Sequence, residues 1–149
     1  METRKEIANK LNEILERTYD AEKGYKDAAE RVDNAKMKSF LNEQAQQRYD
    51  FGHELKSEIK NFGETPEKGG SVKGAIHRNW MDLKAAISSN SEERVMEEVQ
   101  RGEQAALDEY DSVMENINIL PSSTLQILQK QRESISQAQQ NARNWEIIS

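Results

Sequence analysis

The sequence predicts an all-α protein, a bundle of four long helices, and three observations carry that prediction. Apolar residues recur at three-and-four spacing through four long segments. The two prolines, Pro66 and Pro121, both fall between those segments, so no long periodic run contains a helix breaker. Strand signals are missing: apolar and polar residues alternate poorly, and neither Asn-Gly nor Asp-Gly turns occur.

Each element can be read in order. Residues 3–32 carry Ile7, Leu11, Ile14, Leu15, Thr18, Tyr25, Ala29 and Val32 on one face, and Asp33-Asn34 interrupts the run. Residues 35–62 carry Met37, Phe40, Leu41, Phe51, Leu55, Ile59 and Phe62, with Gly63 as a natural stop. The turn-rich GETPEKGG follows at 63–70. A shorter helix is predicted over 71–87, its stripe formed by Val72, Ile76, Trp80, Leu83 and Ile87. SSNSEE (88–93) breaks it, and Asn90 followed by Glu93 has the spacing of a capping box. Residues 91–117 carry Met96, Val99, Ala106, Leu107, Tyr110, Val113, Met114 and Ile117. After Pro121, residues 123–145 carry Leu125, Leu128, Ile135, Ala138, Ala142 and Trp145.

An amphipathic helix cannot bury its stripe alone, and four together can. The first two helices join tightly, as do the last two, so each pair is an antiparallel hairpin. About thirty residues separate the pairs, enough at helical rise to return along the length of a bundle. Two hairpins joined by one long crossover, here with a short fifth helix, is the ferritin-like connection. At 149 residues the chain suits one domain, 1–149, with a core of real size.

Composition limits function. The net charge is −6, from 21 basic and 27 acidic side chains, with no basic block to attract nucleic acid or an anionic membrane. There is no cysteine, which excludes disulfides, thiolate catalysis and Cys-ligated zinc. The opening METRKEIANKLNEIL is too charged for a secretory signal, and no run of about 18 apolar residues could span a membrane. A cytoplasmic location is expected. GETPEKGG lacks the Gly-Lys-Ser/Thr of a phosphate loop, and no Gly-x-Ser-x-Gly elbow occurs, so no motif calls for catalysis.

The most informative residues are polar ones on apolar stripes. In VQRGEQAALDEY (99–110), Val99, Ala106 and Tyr110 share a face, and Glu103 lies within roughly 30° of its centre. Glu22 lies about 40° from the centre on the first helix, between Thr18 and Tyr25. Gln44 and Arg48 are central on the second, and Gln131 and Gln139 flank Ile135 on the fourth. All fall near mid-helix, so a buried polar layer is expected, in which Arg48 pairs with Glu22 and Glu103 while Gln44, Gln131, Tyr25 or Tyr110 complete the hydrogen bonds. The competing reading is a carboxylate-bridged iron or manganese pair with Glu22 and Glu103 as ligands. That chemistry also needs a Glu-x-x-His on each of two other helices. The two histidines, His53 and His77, follow Asp50 and Gly74 at that spacing, and the Asp50–His53 pair points away from the stripe. A fixed cation at Arg48 repels metal ions.

EKGYKDAAE (22–30), GSVKGAIHRNWMDLKAAI (70–87) and RGEQAALDEY (101–110) resemble a bacterial family of small ferritin-like four-helix bundles catalogued as a domain of unknown function. The middle block, with its Gly-Ser-Val, His-Arg-x-Trp and Leu-Lys-Ala elements, is the most specific. The resemblance spans nearly the whole chain. It implies the ferritin-like fold with a helical crossover and brings no established activity. The wider superfamily holds di-metal carboxylate sites, a pattern this chain leaves where Gln47, Arg48 and Gln131 replace Glu-x-x-His. The expectation is a non-enzymatic bundle that acts through protein contacts, without a cofactor. It forms a homo-oligomer, such as a dimer; Trp80, on the stripe with Ile76 and Leu83, is expected to pack onto the bundle, the alternative being a subunit contact. The alternative is a degenerate iron or manganese protein with metal-binding or oxidoreductase activity.

Overall fold

The structure, a computed structural model, describes residues 2–68, 83, 85–89, 91–116 and 120–145. Every regular element among them is helical. The long helices are α1 (Glu2–Arg31), α2 (Ala35–Asn61), α3 (Glu92–Asn116) and α4 (Ser122–Arg143). Of the expected crossover helix at 71–87, Leu83 and residues 85–87 are helical, while Trp80 and His77 lie outside the described residues.

The helix ends follow from local chemistry. Asn34 caps α2, its side chain accepting from the Met37 backbone N–H at 2.9 Å. At the other end the Glu64 N–H bonds the Ile59 carbonyl and the Gly63 N–H bonds that of Lys60, with Gly63 at φ 78°. This paired closure needs a left-handed residue, which glycine adopts without strain. The start of α3 is held by Ser91, whose hydroxyl accepts from the Arg94 N–H at 3.3 Å. Asn90, the expected cap, lies outside the described residues.

α1 packs along α2, and α3 along α4; the two pairs then meet through α1 with α3 and α2 with α4. Chain direction is fixed by contacts at the ends. Glu92, at the start of α3, accepts from Asn34 Nδ2 (3.3 Å) and from Trp145 Nε1 (3.1 Å), and Trp145 stacks obliquely on Phe40. At the opposite end Glu58 of α2 accepts from Ser123 and Thr124 of α4. α3 therefore runs parallel to α2 and antiparallel to α1. Residues 65–67 lie against α1: Asn12 bonds the Thr65 carbonyl and the Glu67 N–H, and the Tyr19 hydroxyl donates to the Glu67 carbonyl.

The core divides in two. One apolar cluster, with Met37, Leu41, Val99 and Trp145, fills the end near the α1–α2 turn. The other, with Leu11, Leu15, Leu55, Leu107 and Leu128, fills the opposite end. Between them the buried side chains are polar.

Candidate functional site

That polar layer is built from mid-helix positions. Arg48 on α2 and Glu103 on α3 lie on the core faces of their helices, at 2% and 0% exposure, and form an ion pair through Arg48 Nη2 and Glu103 Oε1. The pair joins the two hairpins. The guanidinium sits between two rings, Tyr25 and Phe51, each 5.7 Å from it, an arrangement that favours a cation. Burial works against the Arg48 charge, yet Glu103, Tyr25 and Tyr110 together hold its pKa above the ordinary arginine value. Tyr25 meets the pair with its ring against the guanidinium; burial, then the Glu103 charge, push its pKa well up against the opposing pull of Arg48. Burial likewise raises Tyr110, with Arg48 and Thr18 opposing.

Amides extend the layer. The Tyr110 hydroxyl donates to Gln131 Oε1 at 2.6 Å, and Gln131 Nε2 donates to Glu54 at 3.0 Å and to the Phe51 carbonyl. Gln139 donates to Gln104 Oε1 at 2.9 Å and to the Gln100 carbonyl. Gln44 is buried one turn before Arg48, its Oε1 without a partner among the protein atoms.

The structure thus brings together Arg48, Glu103 and the two tyrosines, with Gln44 and Gln131 adjoining. Glu22 requires a correction: it is partly exposed and makes no ion pair with Arg48. The α1 residue that reaches the pair is Tyr25. At this level the buried α1 residues are Thr18, Ala21, Tyr25 and Ala28, and Glu22 stands at the edge of that stripe, where a long polar side chain reaches solvent. Sequence reasoning missed Glu58, a buried carboxylate whose Oε1 accepts from Thr124 (2.9 Å) and Ser123 (3.2 Å). Its spacing from Leu55 and Phe62 was the available signal. His53 lies exposed on the outer face of α2, edge-on to Tyr49 at 4.6 Å. Among the described residues no cluster of three or more His, Asp or Glu is placed to hold a metal ion.

A family model, Domain of unknown function (DUF2383), matches residues 6–116. The chain belongs to this family. The span covers α1 from Glu6 onward and all of α2 and α3, hence Arg48, Glu103, Tyr25 and Tyr110; Gln131 and Gln139 on α4 lie beyond it. No curated protein matches the chain. No helix among the described residues is long and apolar enough to cross a membrane.

Proposed function

We propose that this DUF2383 protein is a single-domain, ferritin-like four-helix bundle of the cytoplasm that acts by contact with other proteins, a second copy of itself first. In this reading a Glu–Arg core takes the place of a di-metal centre, and the protein is not an enzyme. One observation carries it: a permanently charged guanidinium, ion-paired to Glu103, lies at the centre of the helix packing. A cation there neutralises the carboxylate that a metal ion would need and repels the ion itself. The hairpin directions fit the ferritin-like connection. The net charge of −6 gives nucleic acid no electrostatic attraction.

Metal analysis of protein purified without chelators, beside light scattering on a sizing column, tests the reading. The expected result is iron and manganese far below one ion per chain, in a particle of twice the monomer mass. Stoichiometric metal that disappears in Glu103→Ala overturns the metal-free core, and a strictly monomeric particle overturns self-association.

A further inference from the structure

A cavity of about 30 Å3 lies in the seam between α1 and α3, and Arg48 lines it. Ile14, Ala21, Ala106 and Ile135 supply apolar wall, while Thr18 and Tyr110 supply hydroxyls. Arg48 is the deepest of its polar groups at 2% exposure, and while Nη2 is held by Glu103, Nη1 has no hydrogen-bond partner among the protein atoms. A buried donor left so is costly, more so when it carries part of a charge.

The geometry points to a built hydration site: an internal water that accepts from Arg48 Nη1 and donates to the oxygens of Thr18 or Tyr110. Three features of the cavity select water. The first is size, because about 30 Å3 holds one water, two at most, and no branched or ring-bearing ligand. The second is hydrogen-bonding capacity. Thr18 Oγ1 already donates to the Ile14 carbonyl at 2.8 Å and Tyr110 to Gln131 at 2.6 Å, so both oxygens are left to accept. With Nη1 they give the two to four polar partners that an internal water requires. The third is charge. Arg48 is balanced by Glu103, and Arg17, which lines the cavity from α1, is paired at 3.3 Å with Glu109, which lines it from α3. A neutral guest fits this balance, and an anion gains nothing from it. The Arg17–Glu109 ion pair spans the seam between α1 and α3 beside the cavity.

Oxygen-17 relaxation dispersion on the intact protein counts waters that reside long enough to tumble with it. The wild type is expected to lose one or two such waters on Ala106→Leu, which adds bulk to the cavity wall. A crystal structure of the wild type should show a water about 2.7–3.2 Å from Nη1. An unchanged count in a folded Ala106→Leu protein overturns the site. So does a crystal structure with Nη1 bonded to a protein acceptor, or with a larger or charged molecule seated on it.

Discussion

Arg48 carries a charge that cannot be shed into a core otherwise split between two apolar clusters. Removing one partner of such a pair strands the other, at a cost of about 3–5 kcal/mol. Arg48→Met should therefore lower the urea midpoint sharply, while Arg48→Met with Glu103→Gln should regain more than half of the loss. An additive double variant would show that the two side chains do not depend on each other. Glu22→Gln, by contrast, should shift stability by less than about 0.5 kcal/mol, as a surface change does. Burial of the tyrosines makes a separate prediction. The folded-state pKa of both Tyr25 and Tyr110 is raised above the usual 10.0. A raised pKa stabilises the fold fully below the unfolded value and loses that contribution as pH climbs toward the folded one. Stability should thus fall above about pH 10, and phenolate absorbance from these two residues should appear together with loss of helical signal. Tyr25→Phe with Tyr110→Phe should flatten that alkaline slope. At this scale Arg48, Glu103, Gln44 and Gln131 were legible because each lies near the middle of its stripe. Glu22 was misread because it lies at the edge of the α1 stripe, where a long polar side chain reaches solvent instead of the core.

The boundaries of the four long helices were legible to within two residues because punctuation and periodicity agree: Asn34 caps, Gly63 closes and Pro121 separates. What periodicity cannot show is one helix serving the end of another. α4 starts after Pro121 without a side-chain cap of its own. Instead Glu58, on the last turn of α2, brings a carboxylate to the first turn of α4 and takes hydrogen bonds from Thr124 and Ser123. A negative charge suits a helix N-terminus, where unpaired N–H groups gather. Hydrogen bonds to a charged group contribute about 1.5–3 kcal/mol. Glu58→Ala should cost about that much and speed amide exchange first in the opening turn of α4. Loss of stability without local exchange at residues 122–126 would separate Glu58 from α4.

Across the whole molecule the contacts are uneven. α1 lies closely along α2 and α3 along α4, while the hairpins touch each other along two sparse seams. Few long-range contacts cross those seams, so the ones that do carry weight. At the α1–α2 turn Glu92 ties Asn34 to Trp145, and at the far end Glu58 ties α2 to α4. In the middle, Arg48 and Glu103 join α2 to α3 where apolar packing is interrupted. A cooperative protein unfolds as one unit only while such joints hold; otherwise its hairpins behave as separate foldons. Amide exchange in the wild type should converge on one global opening free energy in both hairpins. In Arg48→Met the central tie is cut and Glu103 is left buried without its cation, so the hairpins should separate before either melts. The α3–α4 amides, which have the sparser internal packing, should then open at a lower free energy than those of α1–α2. Equal loss of protection in both hairpins would mean that the ends alone keep the molecule cooperative and that the ion pair sets only stability.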